Sequence, residues 1–212
     1  MDKKSPALRF LKADAPAEIE NGFWHNGGDI EIGLYARSLH GAAKTLVENL
    51  NLEPNPQTAW DACPVLLLYR QCIELHLKAM VGEGSNFLLS PTDPISLFKT
   101  HSLRWLAQIV CHIVKTVRWE NEFKCEGVAS LSEFSALINA LEAMEPVALA
   151  VQSGGLGRGG SVPQQLDPPN VVRFVKKLDN LLHLLDATAD ALAAEWDRQA
   201  TFEGSKCEPT IQ

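Results

Sequence analysis

Long hydrophobic runs are missing from this 212-residue chain, and so is any cysteine pair with zinc-knuckle spacing. No unbroken apolar run is longer than that of Val65–Tyr69, which is far shorter than the roughly 20 apolar residues that a membrane helix needs. The five cysteines are odd in number and form no CxxC pair, which argues against a disulfide framework. The first residues contain no apolar core of signal-peptide length. We therefore expect a cytoplasmic protein with reduced thiols and no membrane segment.

An excess of basic charge is also absent. The chain has 19 Lys and Arg against 26 Asp and Glu, so no general attraction to polyanions is expected. The charge is unevenly distributed, however. Residues 61–118 contain six basic and four acidic side chains, whereas residues 119–167 contain two basic and seven acidic ones. Any polyanion should therefore prefer the 61–118 segment.

Sustained alternation of apolar and polar residues, the signature of strands, is nearly absent, and helical periodicity dominates. We predict an all-α fold, a five-helix bundle with a long C-terminal helix. The predicted domains are an irregular arm over 1–28, a single bundle over 29–198 and a tail over 199–212. The predicted helices cover 29–49, 61–82, 102–117, a segment from Ser130 to Pro146, and 170–196.

Particular residues set these boundaries. Asp61 is the predicted N-cap of the second helix, and Ser130 with Glu133 forms a capping box for the fourth. Pro146 is expected to end or kink that helix, and Asn170 is expected to cap the last one. The first helix has an apolar stripe spaced three and four residues apart, which comprises Ile32, Tyr35, Ala36, Leu39, Ala43, Leu46 and Leu50.

The second helix carries the residues with the most chemical interest. On a helical projection, Arg70, Glu74 and Lys78 share one arc and form an i, i+4 ladder of charges. His76 falls in the middle of the apolar arc, about 120° and about 9 Å away from Arg70. This helix is therefore predicted to be buried on most sides.

The run LLLYRQCIELHLKAM followed by KTHSLRWL resembles the HEPN superfamily of small helical domains. Many members have a helix of the form R-x-x-x-E-x-x-x-K and then a His-Asp-Leu or similar turn that opens the next helix. Arg70, Glu74 and Lys78 match the first pattern, and His101-Ser102-Leu103 matches the second with Ser in place of Asp. The resemblance implies a homodimer that binds or cleaves RNA or binds a nucleotide. It also implies a bacterial defence or toxin–antitoxin setting, with an antitoxin partner.

The resemblance also implies a catalytic pair, because members with ribonuclease activity carry Arg and His four to six residues apart. Arg70 and His76 have five residues between them. His76 would take the proton from a ribose 2′-OH and Arg70 would stabilise the phosphate charge, without metal or cofactor. A two-fold dimer would be needed to bring the two together. Binding roles are then expected for the remaining polar residues, which are Glu74, Lys78, His101, Arg104 and, in the glycine-rich loop, Arg158.

Simpler interpretations stand beside these. His76 is equally explained as a core histidine with one polar partner, and Arg70 as half of a helix-surface salt bridge. The loop SGGLGRGGS is explained as a connector. One face of the last helix, formed by Asp179, His183, Asp186 and Asp190, is explained as solvated rather than metal-binding. The alternative function is a non-catalytic helical module for dimerisation or interaction.

Overall fold

Five α-helices and one 3₁₀ turn make up most of the computed structural model, which describes residues 28–50, 56–88, 97, 99–152 and 168–204. The helices are α1 (Gly28–Glu48), α2 (Pro56–Gly84), α3 (Leu103–Thr116), α4 (Leu131–Gln152) and α5 (Pro168–Gly204), and the 3₁₀ turn is Ser85–Phe87. Within these ranges β pairing is limited to one isolated antiparallel bridge between Cys125 and Val128. The predicted all-α class is therefore confirmed. None of the described helices has the length and hydropathy to cross a membrane.

Helix α2 lies at the centre and packs against each of the other four helices. Its apolar residues explain this position, because Val65, Tyr69, Ile73, Leu77 and Val81 are all fully buried and a helix that is apolar on most sides needs neighbours all round. The predicted N-cap at Asp61 is wrong. The helix begins at Pro56, whose ring presets the first helical turn, and it continues through Pro64 on an exposed side.

The starts of α3 and α4 follow the predicted capping chemistry. Ser102 caps α3, and its hydroxyl accepts a hydrogen bond from the Trp105 N–H at 3.3 Å. The Ser130 hydroxyl accepts from the Glu133 N–H at 3.2 Å, while the Glu133 carboxylate accepts from the Ala129 N–H at 2.8 Å. Pro146 does not end α4 as expected, since the helix continues to Gln152.

Helix α5 is longer than predicted at both ends. It begins at Pro168, so Asn170 lies within its first turn and is not the N-cap. It continues to Gly204, which makes 37 residues, or about 55 Å. The apolar seam is buried from Val171 to Leu192, but Trp196 is 40% exposed. The last turns therefore extend beyond the core.

Helix α1 buries a narrower stripe than predicted. Ile32, Ala36 and Ala43 are buried, but Tyr35 and Leu46, which the periodicity assigned to the core, are 47% and 41% exposed. The reason is that α1 packs chiefly against α2, so only one side of it is covered. Most of the predicted arm, the loop with Arg158 and the tail beyond Gly204 lie outside the described residues.

Candidate functional site

The charge ladder predicted on α2 forms, and it is buried. An Arg70 Nη1 donates to Glu74 Oε2 at 2.9 Å, and Lys78 Nζ donates to Glu74 Oε1 at 2.8 Å. The side chains of Arg70, Glu74 and Lys78 are 14%, 8% and 5% exposed. The predicted salt bridge between Arg70 and Glu74 therefore forms, but it lies inside the bundle and not on the helix surface, because α3 and the segment before it cover this side of α2.

His101 joins the ladder from the residue before the α3 N-cap. Its Nδ1 lies 2.9 Å from Glu74 Oε1, and its carbonyl oxygen accepts a hydrogen bond from Arg70 Nη2 at 2.8 Å. Burial alone would raise the pKa of Glu74, but the bonds from Lys78 and His101 outweigh it and hold that pKa below its usual value. The carboxylate is therefore charged at neutral pH and holds all three partners.

The contact with Glu74 determines which ring nitrogen of His101 is available to the solvent or to a ligand. A carboxylate that accepts from Nδ1–H leaves Nε2 as the ring nitrogen available to another partner. The His101 side chain is 71% exposed although its Glu74 partner is only 8% exposed. The arrangement is an exposed imidazole whose orientation is fixed by a buried anion. Such a group can accept a proton or donate a hydrogen bond to a bound molecule.

Arg104 lies one helical turn or less from His101, at the start of α3. Its Nε donates to Asn139 Oδ1 at 2.9 Å and lies 3.6 Å from Glu142 Oε2. Glu142 also accepts from the Ser102 hydroxyl at 3.1 Å, so α4 anchors this rim. The Arg104 side chain is 63% exposed, and the first turn of α3 contains no acidic residue.

His76 lies in a different environment from Arg70. Its Nδ1–H donates to the Cys72 carbonyl oxygen at 2.8 Å, and its Nε2 is 4.0 Å from Asp186 Oδ1 on α5. Only 8% of the side chain is exposed, and burial lowers its pKa. Arg70 contacts His101 before α3 while His76 faces α5, so a single chain engages the two side chains with different helices.

A second polar cluster joins α1, α2 and α5, and the sequence interpretation missed it. Asp179 Oδ1 lies 2.6 Å from His40 Nε2 and accepts the Tyr69 hydroxyl at 2.8 Å. The His183 ring centroid is 6.3 Å from that of His40. Two helical turns after Asp179 along α5, Asp186 pairs with Arg37 at 3.2 Å. The face of α5 predicted to be solvated is exposed at His183 and Asp190, but Asp179 and Asp186 pair with residues of the neighbouring helices.

A spacing signal places polar residues of this region on common helix faces, although it does not show which faces meet. Tyr69 and His76 are seven residues apart on α2, and Asp179 and Asp186 are seven apart on α5, so each pair spans two turns on one face. Burial alone would raise the pKa of Asp179, but the hydrogen bonds with His40 and Tyr69 lower it by a larger amount. The pKa of Asp179 therefore lies below its usual value. Burial and the Asp179 bond both raise the pKa of Tyr69.

Neither cluster is arranged as a metal site. Within the described residues, no group of three His, Cys, Asp or Glu side chains has the geometry to hold a metal ion. Arg158 lies outside those residues, so its predicted binding role stays a prediction.

Comparison with protein-family models, with curated proteins and with solved structures found no match for this chain.

Proposed function

We propose that this chain is a HEPN-like helical protein that binds RNA or a nucleotide at the surface formed by His101 and Arg104. The observation that carries the proposal is the pairing of a buried carboxylate, Glu74, with the exposed imidazole of His101. The resemblance of the α2 and α3 motifs to the HEPN superfamily supports the same surface. A place in bacterial defence or in a toxin–antitoxin pair belongs to this proposal.

The chemistry of the surface favours a phosphate. The His101 imidazole and the Arg104 guanidinium are both exposed beside the N-terminus of α3, where helix N–H groups attract anions. The buried charges beneath this surface are two cations and one anion, Arg70, Lys78 and Glu74, and at the rim Glu142 Oε2 lies 3.6 Å from Arg104 Nε. A phosphate can thus contact two exposed donors without displacing the buried ladder.

Should the protein cleave RNA, the roles expected for Arg70 and His76 pass in this proposal to Arg104 and His101. His76 is buried and its pKa is lowered by burial, so a ribose hydroxyl could not reach it without repacking α2 against α5. His101 Nε2 would take the proton from the 2′-OH, whose oxygen would attack the phosphorus to form a 2′,3′-cyclic phosphate as the P–O5′ bond breaks. The departing 5′-oxygen would take a proton from water, and Arg104 would stabilise the phosphate charge. The reaction would need no metal and would continue in EDTA.

The test is fluorescence anisotropy with labelled single-stranded RNA and with a labelled nucleotide. His101→Ala and Arg104→Ala should each weaken binding by about tenfold, the value of a charged hydrogen bond. His112→Ala and Lys115→Ala are matched controls, because both side chains are exposed on the same helix further from its start. Equal loss in all four variants would indicate nonspecific charge attraction, and no binding by the wild type would overturn the proposal.

The second candidate is a module that assembles with another copy of this chain, and exposed apolar side chains on α1 support it. Leu34, Tyr35 and Leu46 are 57%, 47% and 41% exposed. Two antiparallel copies of α1 would place Leu34 and Tyr35 of one copy opposite Leu46 of the other, which is the self-complementary pattern of a two-fold dimer.

Light scattering distinguishes this candidate. The wild type should be dimeric at micromolar concentration, and Leu34→Gln with Leu46→Gln should yield monomers. Trp105→Gln is the control, since Trp105 is 37% exposed on α3 and away from α1. A monomeric wild type would exclude the homodimer and would leave a different chain, such as an antitoxin, as the only partner to seek.

A further inference from the structure

A cavity of about 310 Å³ lies where the end of α3, the 3₁₀ turn and the last turns of α5 meet. It is remote from His101, which precedes the opposite end of α3. The lining combines apolar and charged side chains, namely Phe87, Thr116, Val117, Arg118, Trp119, Glu195, Arg198 and Gln199. Its size falls at the small end of the range for sites that bind small organic molecules.

Arg118 occupies a backbone position that favours glycine. Its φ is 62°, in the left-handed region, directly after the α3 C-cap at Val117. Its N–H donates to the Lys115 carbonyl at 3.1 Å and the Trp119 N–H donates to the Val114 carbonyl at 2.9 Å, which closes the helix end. A side chain here destabilises the fold relative to glycine, so arginine at this position suggests a use for its guanidinium.

The guanidinium of Arg118 is available for a ligand. The side chain is exposed at the cavity wall, and within the part of the chain that the structure describes it makes no hydrogen bond or ion pair. The other arginine of the wall, Arg198, is paired with Glu195, which also accepts from the Gln199 amide at 2.9 Å. The hydrogen bonds of Gln199 and Arg198 lower the pKa of Glu195, so the cavity holds two cations and one anion at neutral pH.

The remaining wall is apolar and partly aromatic. Phe87, Val117 and Trp119 pack against the core, and the Phe87 ring meets Trp196 edge to face at 5.8 Å between centroids. An aromatic ring can contact these groups while a carboxylate meets Arg118 through its planar fork. Because Arg198 is already paired with Glu195, the one guanidinium left for a ligand matches the single charge of a carboxylate better than the nearly double charge of a phosphate monoester.

We propose that this cavity binds a small aromatic carboxylate, with Arg118 as the group that selects its negative charge. The proposal does not depend on RNA or nucleotide binding, because it shares no residue with the surface at His101 and Arg104.

Isothermal titration calorimetry with three matched probes tests the ligand class. The probes are 2-naphthoate, the neutral 2-naphthalenemethanol and the dianionic 2-naphthyl phosphate. The carboxylate should bind about tenfold or more tightly than the alcohol, the contribution expected of one charged hydrogen-bonding pair. It should also bind more tightly than the phosphate. Equal affinities for carboxylate and alcohol, or a preference for the phosphate, would overturn the proposal.

Arg118→Gly separates binding from folding. Glycine relieves the left-handed backbone, so the melting temperature should stay the same or rise while 2-naphthoate binding falls about tenfold. Arg173 is an exposed arginine at the other end of α5, so Arg173→Ala should leave the affinity for 2-naphthoate unchanged. Glu195→Gln should improve binding of the phosphate probe more than that of the carboxylate. An Arg118→Gly protein that binds 2-naphthoate as the wild type does would refute the site.

Discussion

The Tyr69 hydroxyl donates a 2.8 Å hydrogen bond to Asp179, 110 residues further along the chain. The same carboxylate oxygen lies 2.6 Å from His40 Nε2, so one atom of α5 receives groups from both α1 and α2. Tyr69 is fully buried, whereas Asp179 keeps some contact with solvent. The bond therefore fixes the rotation of α5 against α2 as well as satisfying a buried hydroxyl.

Tyr69→Phe should lower the free energy of unfolding by about 1 kcal/mol, the usual net value of one hydrogen bond, with Asp179 still held by His40. Urea denaturation measures this change. Tyr35→Phe is the matched control, because Tyr35 is 47% exposed and its hydroxyl makes no hydrogen bond to any described residue. A loss of similar size in both variants would show that the Asp179 bond contributes nothing particular.

Asp179 should also make stability depend on acidity. Its pKa in the folded protein lies below the ordinary value of 3.8. A carboxyl group whose pKa is lowered by folding stabilises the folded state at pH values above its ordinary pKa. That stabilisation is lost as the pH falls from the ordinary pKa through the lower pKa of the folded protein. Asp179→Asn should therefore be less stable than the wild type at pH 7. Between pH 5 and pH 2, the range over which Asp179 becomes protonated, the variant should lose less stability than the wild type does. Asp190→Asn, exposed on the same helix, should leave the acid limb unchanged.

Glu74→Gln removes the charge that holds the buried ladder. Lys78 is only 5% exposed, so its ammonium would lose its buried counter-ion. We expect a loss of about 3 kcal/mol or more in thermal or chemical denaturation, because removing one partner of a buried ion pair is costly. Glu120→Gln, at an exposed position, should be neutral. A nearly neutral Glu74→Gln would mean that the two cations find other partners.

Arg70→Ala should cost about 1.5–3 kcal/mol, since the guanidinium bonds both the Glu74 carboxylate and the His101 carbonyl. This differs from what a helix-surface salt bridge would give, which is a few tenths of a kcal/mol. Arg70→Ala removes the bond to the His101 carbonyl but leaves the Glu74 bond to the His101 ring, so the proposed affinity for RNA should fall less than in His101→Ala. Gln71→Ala, the exposed neighbour on α2, controls for any general effect on the helix.

Two classes of glycine should respond to alanine in opposite directions. A Cβ at Gly84 would lie 2.6 Å from two atoms of Ile113, so Gly84→Ala should destabilise the α2–α3 contact by about 1–3 kcal/mol. A Cβ at Gly33 or Gly41 would meet nothing within 4 Å, and both residues lie inside α1. Gly33→Ala and Gly41→Ala should therefore raise the free energy of unfolding by about 0.5–1 kcal/mol each, by the higher helix propensity of alanine. A stabilising Gly84→Ala would show that Ile113 can move aside.

The sequence predicted features that depend on the residues of a single helix. The i, i+4 spacing of Arg70, Glu74 and Lys78 predicted their ladder, and Ser102 and Ser130 marked two helix starts. Contacts between helices were less accessible. The burial of that ladder and the Asp179 cluster depend on which faces meet in the folded bundle, and periodicity on one helix does not specify its neighbour. Several predicted helix boundaries were wrong because proline is ambiguous. A proline can signal a break in a helix, but Pro56, Pro146 and Pro168 all lie within helices.

The central place of α2 has a consequence for how the molecule opens. Every other helix loses its main contact if α2 leaves, whereas the last turns of α5, which extend beyond the core, can detach while the core stays covered. Amide hydrogens around Cys72–Leu77 should therefore exchange with deuterium only through complete unfolding, and those of the last turns of α5 through local fraying. Glu74, whose carboxylate holds the His101 ring, belongs to this slowly exchanging segment. A ligand at His101 would meet a support that is rigid before it arrives.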